Sequence, residues 1–411
     1  MRIILVYDFT FVNCGAGNVA ITEAEALAEE GYDVTFFTGV GSVNDRLQKA
    51  GVKVVCMNLT ELKDQLNGLA DKLKGALQGF WNTAAEKQFA TLLDAYSPDN
   101  TVIHFHGWSL ALSPALFSVT AKKGFKVAIT SHDYEVNCPV RTYFNYKKAH
   151  MCDCKAMSLR CIFTNCDKRS YFQKVYRVIR QKMLLSLLRQ NDVSLICLSE
   201  FNKSIIERDL HFECKRYIVP NLIDIPPHVE IAPEQNDAYL FVGRFNPEKG
   251  IELFCEAVTK AGVRGIAIGD GEQSEKLQKK YPNVEFCGWL TAEQMVPHIQ
   301  KSRCYIMTSL CYEGAPLTVP EIQCAYALPC IVPAPCGAQE YVEHGTTGLI
   351  FKSGDMDDLL KCIETCKEDA VIKLMHENTL ALSFHQEYTA QYHKKTLVEC
   401  YEHILYGHAF K

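Results

Sequence analysis

Short runs of apolar residues alternate with amphipathic stretches along most of the 411-residue chain. The apolar runs predict buried parallel strands, because a strand covered by helices on both faces is apolar throughout. They lie at residues 3–7, 33–38, 101–105, 126–130, 194–198, 238–242, 265–268, 284–287, 304–307 and 330–332. Stretches of helical period separate them, for example at 20–30, 84–95, 249–261, 291–300 and 355–366. The alternation predicts an α/β fold with doubly wound sheets.

The alternation is interrupted once, at residues 219–237, which contain four prolines and no helical period. This stretch is typical of a linker between domains. About five predicted strands fall on each side of it, so we expect two Rossmann-like domains facing each other across a cleft. The expected domains are residues 1–218 and 238–385, and residues 386–411 are expected to form a helix that packs back on the N-terminal domain. Ligands of such sheets bind beyond the carboxyl ends of the strands.

Composition places the chain among ordinary globular proteins, with 48% hydrophobic and 22% charged residues. No apolar run reaches the roughly 18 to 20 residues that a membrane-spanning helix needs. Asp8 ends the first apolar run too early for a signal peptide. We therefore expect a cytoplasmic protein whose nineteen cysteines are reduced.

The first predicted strand is followed by G-A-G-N-V-A at residues 15–20, which fits a dinucleotide-binding fingerprint. Six residues separate Asp8 from Gly15, too many for the tight turn of that fingerprint, and Asp33 precedes the second strand instead of ending it. Nicotinamide binding is therefore disfavoured. Gly15 and Gly17 would still let backbone N–H groups at a helix N-terminus approach a phosphate.

The second half of the chain has the more specific motif, G-R-F-N-P-E-K-G at residues 243–250, directly after a predicted strand. Arg244 and Lys249 flank a turn that opens a helix, and a guanidinium, an ammonium and a helix N-terminus together suit a diphosphate. The next two strands end in G-D-G-E, with Gly269 and Gly271, and in G-W-L, with Leu290.

The following strand ends in E-G-A-P-L-T-V-P-E at residues 313–321, and C-G-A-Q-E-Y-V-E-H-G-T-T-G-L-I-F follows at 336–351. In this order the motifs resemble those of the retaining nucleotide-sugar glycosyltransferases of the GT-B fold, glycosyltransferase family four. The resemblance is strong over residues 220–351. It extends more loosely to V-I-H-F-H-G-W at 102–108 and S-H-D-Y-E-V-N-C-P at 131–139.

The resemblance implies a role for each matching residue. Arg244 and Lys249 would neutralise the donor diphosphate, Glu313 would lie beside the transferred sugar, and Glu321 would accept hydrogen bonds from the ribose. His106 would reach the donor sugar from the first domain, and the loop at Gly15 and Gly17 would face the diphosphate. The remaining donor-binding positions would be Gly243, Gly269, Gly271, Leu290, Gly314, Ala315, Pro316 and Leu317.

Plainer interpretations stand beside these roles. Thr318 and Glu321 have the spacing of a helix capping box, so Glu321 could only cap a helix. Glu313 could be a solvated loop residue, and Arg244 could pair with a surface carboxylate. His104 and His106 point to the same face of one strand, so either could be a structural histidine. We favour His106 because it matches the family position.

Five cysteines fall within 29 residues of one another, beside His150: Cys138, Cys152, Cys154, Cys161 and Cys166. A structural zinc ion or an iron–sulfur cluster is one interpretation of this cluster. Against it, C-x-C is tighter than the usual spacing of zinc ligands, and no second matched pair follows.

Positive charge is concentrated at residues 141–190, which hold twelve basic and two acidic residues. Basic and apolar residues are interleaved at helical spacing over 167–190. This predicts either a core helix with a basic outer face or a surface that docks on anionic lipid. Nucleic acid is disfavoured, because no nucleic-acid-binding motif accompanies the charge.

Taken together, the sequence predicts a cytoplasmic retaining hexosyltransferase, acting in cell-surface polysaccharide synthesis and placed at the inner face of the membrane. It would move a sugar from a nucleotide diphosphate donor, a UDP-sugar in preference to a GDP-sugar, to a glycan or lipid-linked acceptor. No D-x-D motif follows a strand, because D-M-D-D at 355–358 is typical of a helix start, so no catalytic metal or other cofactor is expected. The alternatives are a non-catalytic nucleotide-sugar-binding protein and a cysteine-ligated metal or redox protein.

Overall fold

A computed structural model of the chain describes residues 1–12, 14–42, 44–59, 69–223, 227–382, 389–408 and 410. Within these ranges it has fifteen strands and fifteen α-helices. The strands are β1 Arg2–Phe9, β2 Asp33–Val40, β3 Lys53–Cys56, β4 Thr101–Phe105, β5 Lys126–Thr130, β6 Phe144–Asn145, β7 His150–Met151, β8 Asp192–Cys197, β9 Lys215–Ile218, β10 Ala238–Val242, β11 Arg264–Ile268, β12 Val284–Gly288, β13 Ser302–Ile306, β14 Cys330–Ala334 and β15 Gly348–Lys352. The helices are α1 Gly15–Glu29, α2 Asp45–Lys49, α3 Leu69–Phe80, α4 Thr83–Leu93, α5 Ala115–Lys123, α6 Leu159–Phe163, α7 Tyr171–Leu188, α8 Glu200–Arg208, α9 Ile251–Ala261, α10 Ser274–Lys280, α11 Ala292–Ile299, α12 Thr318–Tyr326, α13 Met356–Thr365, α14 Asp369–Leu380 and α15 Ala390–Tyr406.

The chain forms two compact units, each built from more than one segment. The first unit contains Met1–Pro139, Val175–Leu222 and Ala390–Lys411, and the second contains Val140–Lys174 and Ile223–Thr389. Residues 224–226 of the predicted linker, and the predicted boundary at 385 and 386, lie outside the described residues. The cysteine-rich stretch after Pro139 thus packs with the second unit.

The first unit is built on a seven-stranded parallel sheet of order β3-β2-β1-β4-β5-β8-β9. Its central strands are buried on both faces; the residues from Ile3 to Val6, for example, have no exposed surface. Helix α15 adds Leu397, Cys400 and Tyr401 to the same apolar core. The strand order reverses between β1 and β4, so the segments after these two strands lie beside each other at the sheet edge.

The second unit is built on a six-stranded parallel sheet of order β12-β11-β10-β13-β14-β15. Here the order reverses between β10 and β13, which places the loop after β10 next to the loop after β13. Apolar clusters cover both faces of this sheet, one centred on Phe241 and Phe254 and the other on Leu240 and Tyr305.

The predicted fold class is confirmed, since both sheets are parallel and are covered by helices. The estimate of about five strands in each half was low, because the described residues contain seven strands in one sheet and six in the other. The additional strands β3, β9 and β15 lie at sheet edges, and β3 and β9 are partly exposed and not apolar throughout. The predicted helix start at 355–358 is confirmed, because Asp355 caps α13 and accepts a hydrogen bond from the N–H of Asp358.

Candidate active site

The loop after β10 holds Arg244 and Lys249 at the carboxyl edge of the second sheet. Lys249 ends a short 3₁₀-helix, Pro247–Lys249, and Gly250 follows with φ +68° at the N-cap of α9. A Cβ on Gly250 would lie 1.9 Å from the carbonyl oxygen of Thr308, so only glycine permits this approach. The hydroxyl of Thr308 in turn donates a hydrogen bond to the carbonyl of Gly250, at 2.8 Å. The loop after β10 is thereby joined to the loop after β13.

Lys249 and Glu313 form an ion pair where these two loops meet, with Nζ 2.5 Å from Oε1. The Ser309 hydroxyl and the Cys311 thiol also donate to the same carboxylate oxygen, at 3.2 and 3.5 Å. Burial raises the pKa of Glu313, but the Lys249 ammonium outweighs it, and the net pKa is lowered. Burial lowers the pKa of Lys249, but Glu313 outweighs it and the net pKa is raised. Both groups are therefore charged near neutral pH.

Arg244 lies in the same loop and its side chain is exposed. Its charge acts against the protonated form of Lys249, which places the two cations near each other. A concentration of positive charge held by fixed loops is what a diphosphate group requires. The structure therefore brings Arg244, Lys249 and Glu313 together at one edge of the sheet.

Glu321 lies one turn into α12, which begins at Thr318. The N-cap is Leu317 and no side chain caps the helix, so Thr318 and Glu321 do not form the capping box that their spacing permits. Burial raises the pKa of the Tyr305 hydroxyl, and the nearby carboxylates of Glu313 and Glu321 raise it further. Both glutamates thus lie near the same tyrosine.

The residues from Gly314 to Leu317 lead into the N-terminus of α12 and are partly buried. The helix dipole gives this end partial positive charge. Backbone donors, Lys249 and Arg244 are therefore close neighbours in the fold, since they follow the adjacent strands β13 and β10.

Two further loops of the predicted site follow β11 and β12. Gly269 has φ +140°, and a Cβ there would lie 1.9 Å from the carbonyl oxygen of Gly243, so the loop after β11 contacts the loop after β10. A Cβ on Gly271 would crowd the backbone of Phe245, at 2.7 Å. Leu290 is partly buried against the apolar cluster centred on Leu240 and Tyr305.

His106 lies in the first unit, directly after β4, within a buried network of histidines. Its Nε2 lies 3.1 Å from Oε2 of Glu23, and its Nδ1 lies 3.0 Å from Nε2 of His132. The other oxygen of Glu23 lies 3.0 Å from Nε2 of His393, on α15. Burial lowers the pKa of His132 to about 3, so its ring is neutral near pH 7. Glu23 was not predicted as a site residue, because a single acidic residue inside a helical pattern carries no signal.

His104, the alternative to His106, is fully buried with both ring nitrogens engaged. Nδ1 lies 2.6 Å from the Tyr401 hydroxyl and Nε2 lies 2.6 Å from the Thr130 hydroxyl. Burial lowers the pKa of His104 well below its usual range. Ligand atoms of Glu23, His104 and His106 lie within 4.8 Å of one another, a spacing that could suit a metal ion. The two hydroxyl partners of His104 already use its lone pair and its proton, so hydrogen bonding accounts for this ring.

Gly15 is the exposed first residue of α1, and Gly17 is buried two residues later. The strand that precedes this helix, β1, carries the buried Asp8 near its end. The carboxylate of Asp8 accepts hydrogen bonds from the backbone N–H groups of Leu110, Ala111 and Leu112, at 2.8 to 2.9 Å. Asp8 therefore orders the segment after β4.

The five clustered cysteines are all buried. Among the described residues, the two groups of three potential metal ligands lie elsewhere, at Glu23, His104 and His106 and at Glu285, Cys287 and His298. Cys161 instead contacts a lysine, since Nζ of the fully buried Lys174 lies 3.6 Å from its sulfur. The same segment lines a cavity of about 340 Å³, with Lys148, His150, Cys152, Cys154 and Arg160 among its lining residues.

Tyr146, from the cysteine-rich segment, is a neighbour of the site that sequence analysis missed. Burial raises the pKa of its hydroxyl, Glu248 raises it further, and Arg244 opposes the shift. Tyr143 of the same segment packs edge-on against Tyr312, with ring centroids 5.8 Å apart. The segment therefore lies against the loops that carry Arg244 and Glu313.

The central part of the second unit is similar to known proteins. Residues 236–369 match the family model described as Glycosyl transferases group 1. The chain is 22% identical over 208 residues to an uncharacterized glycosyltransferase of Methanocaldococcus jannaschii, an alignment covering 49% of this chain and 57% of that protein. It is 26% identical over 146 residues to a GDP-mannose-dependent alpha-mannosyltransferase of Mycobacterium tuberculosis, covering 36% of each chain. The chain spans less than two thirds of the length of these relatives.

Solved structures show the same fold over almost the whole chain. HepE of Anabaena, solved with UDP and glucose, has a TM-score of 0.65 at 15% identity and covers 98% of this chain and 99% of its own. Sucrose-phosphate synthase of Thermosynechococcus elongatus has a TM-score of 0.68 at 16% identity and covers 99% of both chains. These likenesses establish the GT-B fold, and the match to the glycosyl transferases group 1 model is confined to residues 236–369. No helix in the described part of the chain is long and apolar enough to cross a membrane.

Proposed function

We propose that this protein is a retaining glycosyltransferase of family four that takes its sugar from a nucleotide diphosphate donor. The observation that carries the proposal is the Lys249–Glu313 pair, held beside Arg244 and the start of α12 in a group 1 domain. The two cations would bind the donor diphosphate and stabilise the charge that develops as it leaves. Glu313 would lie beside the sugar and Glu321 would accept hydrogen bonds from the ribose.

The donor is a UDP-sugar in preference to a GDP-sugar. HepE was solved with UDP and with UDP-glucose, whereas the mannosyltransferases among the relatives depend on GDP-mannose. The acceptor would be a hydroxyl of a glycan or of a lipid-linked sugar in cell-surface polysaccharide synthesis. His106 is proposed to act toward the donor sugar, and Gly15 and Gly17 toward the diphosphate. We expect no metal requirement, because Arg244, Lys249 and the dipole of α12 supply the positive charge.

The test is a screen of UDP- and GDP-sugars with the full-length protein, measuring thermal stabilisation and release of the nucleoside diphosphate. A ligand that binds only the folded state raises the melting temperature. We expect one donor to stabilise the protein and to be consumed, and Lys249→Met to reduce consumption about 100- to 1000-fold. Lys260→Met, which removes a lysine that pairs with Glu256 on the exposed side of α9, is the matched control.

The outcomes separate the alternatives. Stabilisation without consumption in the presence of a broad panel of acceptors would favour the non-catalytic binding protein. If no donor stabilises the protein and no donor is consumed, the proposal is contradicted. The anomeric configuration of the product, read by NMR, tests retention, and unchanged rates in a chelator test metal independence.

We also propose that the segment from Lys155 to Phe172 docks on an anionic membrane surface. Three of its large apolar side chains are strongly exposed, with Phe172 at 88%, Leu159 at 73% and Phe163 at 71%. Exposed basic residues surround them in the chain, at Lys155, Arg160, Lys168 and Arg169. Apolar side chains that insert among headgroups, flanked by cations, are the combination that binds anionic lipid. Such docking would bring the enzyme to a lipid-linked acceptor on the cytoplasmic face.

The experiment is co-sedimentation with vesicles of phosphatidylcholine alone or mixed with phosphatidylserine. We expect binding only to the mixed vesicles, weakened by salt and lost in the double variant Phe163→Ser, Phe172→Ser. Leu374→Ser removes an exposed leucine elsewhere in the second unit and should bind as the wild type does. Equal binding to both vesicle types, or full binding by the double variant, would refute membrane docking.

A further inference from the structure

Strand β12 lies at the edge of the second sheet and carries two potential metal ligands, Glu285 and Cys287. The pairing of β12 with β11 shifts at this point, since Ala267 faces Phe286 whereas Ile268 faces Gly288. Cys287 is therefore the extra residue of a β-bulge. Bulges at sheet edges re-aim side chains, and they are common beside functional sites.

A third ligand comes from the helix that packs beside the strand. His298, on α11, places its Nδ1 3.5 Å from the Cys287 sulfur and 3.6 Å from Oε1 of Glu285. The sulfur lies 3.9 Å from the same carboxylate oxygen. Three donor atoms of different chemistry thus face one another, and all lie within 4.8 Å.

The distances between these atoms fit one face of a zinc tetrahedron. Zinc bonds of about 2.3 Å to sulfur and 2.0 to 2.2 Å to nitrogen and oxygen, at tetrahedral angles, separate the ligand atoms by about 3.4 to 3.6 Å. The observed separations exceed these values by a few tenths of an ångström at most. Small side-chain rotations would therefore close the site around an ion.

The carboxylate is also held in the orientation that the site needs. Nη2 of Arg264 donates to Oε2 of Glu285 at 2.8 Å, which leaves Oε1 directed at the thiol and the imidazole. Partners of this kind, which fix a ligand from behind, are typical of metal sites. The side chains of Glu285 and His298 remain 42% and 26% exposed, so an ion could enter and could keep a water ligand.

We propose that Glu285, Cys287 and His298 bind one zinc ion, with solvent as the fourth ligand. A mixed thiolate, imidazole and carboxylate set suits zinc better than magnesium or calcium. On binding, the Cys287 thiol loses its proton to solvent and the thiolate coordinates the ion. The ion ties the end of β12 to α11 and so steadies the connection at 288–291, which carries Leu290. This site is separate from the Lys249–Glu313 pair and does not depend on the proposed transfer reaction.

The test uses the full-length protein, reduced and stripped of metal, titrated with Co²⁺ and then with Zn²⁺. Cobalt bound by a thiolate gives a charge-transfer band in the near ultraviolet. We expect a component of this band that saturates at one equivalent, is displaced by Zn²⁺ and is absent in Cys287→Ser. His298→Ala, on the other element, should weaken cobalt binding at least tenfold.

Cys56→Ser is the matched control, because Cys56 is also a partly buried thiol and donates only to a backbone carbonyl, that of Gly41. It should keep the wild-type band. Circular dichroism of the metal-free variants establishes that each is folded. The proposal is overturned if the cobalt spectra of the wild type and of Cys287→Ser are the same. This holds whether both spectra contain the band or both lack it.

Discussion

At the scale of single residues, the site is defined by how opposite charges share a partly buried space. Lys249 and Glu313 each lose solvent on folding, and each recovers stability from the other. The pair contributes fully only between the unfolded pKa values of the two groups, about 4.3 and about 10.4. Acid protonates Glu313 as the pH falls through its lowered pKa, and alkali removes the proton of Lys249 as the pH rises through its raised pKa. Such a pair suits a site that must hold its shape before the donor arrives.

Glu321 provides the sharpest test of function at this scale. Glu321 lies in the first turn of α12, which has no side-chain cap, and a charged hydrogen bond from this carboxylate to ribose would be worth about 1.5 to 3 kcal/mol. We expect Glu321→Ala to weaken donor binding about 10- to 100-fold, measured by titration calorimetry with the stabilising nucleotide sugar. Thr318→Ala should bind as the wild type does. Equal losses in both variants would indicate a helix-start effect instead of a ribose contact.

At the scale of elements, the site depends on loops that approach one another closely enough to exclude a Cβ. The glycine turns after β10 and β11 and the segment after β13 are in backbone contact. A sequence shows that a turn contains glycine, but it does not show which distant carbonyl the turn must approach. The family motif predicted the positions of these loops, and the packing explains why those positions are glycine.

Gly250 and Gly262 form a matched pair for this argument, since their φ values are +68° and +65°. Nothing lies within 4 Å of a Cβ built on Gly262, so Gly262→Ala should cost about 1 to 2 kcal/mol of backbone strain. Gly250→Ala adds a clash with the Thr308 carbonyl, and the total loss should reach about 3 to 5 kcal/mol. Urea unfolding of both variants measures the difference. Equal losses would mean that the contact between the loops adds no stability.

At the scale of the whole molecule, neither of the two units is a single continuous stretch of the chain. Residues after 389 return to the first unit, where α15 enters the core and His393 meets Glu23 of α1. Nδ1 of His393 also contacts the carbonyl of Pro220, 2.6 Å away. A buried histidine thus joins three distant parts of the chain.

This junction makes the stability of the first unit depend on pH. Burial lowers the pKa of His393, but Glu23 outweighs it, and the net pKa is raised. Its contribution is complete below the unfolded value of about 6.5 and is lost as the pH rises through the folded pKa. We therefore expect the free energy of unfolding to fall above pH 6.5 by up to about 1.4 kcal/mol per pH unit from this group.

Urea unfolding of the wild type and of His393→Gln across this range measures the effect. Below pH 6.5, His393→Gln should have a lower free energy of unfolding than the wild type. Above pH 6.5, its free energy of unfolding should lack the fall with pH that His393 causes. His408→Gln, which replaces an exposed histidine near the same end of the chain, should keep the wild-type slope. An unchanged slope in His393→Gln would show that this junction does not couple protonation to folding.

From the sequence alone we predicted the fold class, ten of the strands and the order of the motifs around Arg244, Lys249, Glu313 and Glu321. This was possible because buried parallel strands are apolar throughout and because turn and charge motifs are local in the chain. Only the tertiary structure revealed the edge strands β3, β9 and β15, the Glu23–His106–His393 network and the grouping of Glu285, Cys287 and His298. These features depend on contacts between side chains that are distant in sequence, or on side chains that are only partly buried. The pattern of residues that neighbour one another in the chain reveals neither long-range contacts nor partial burial.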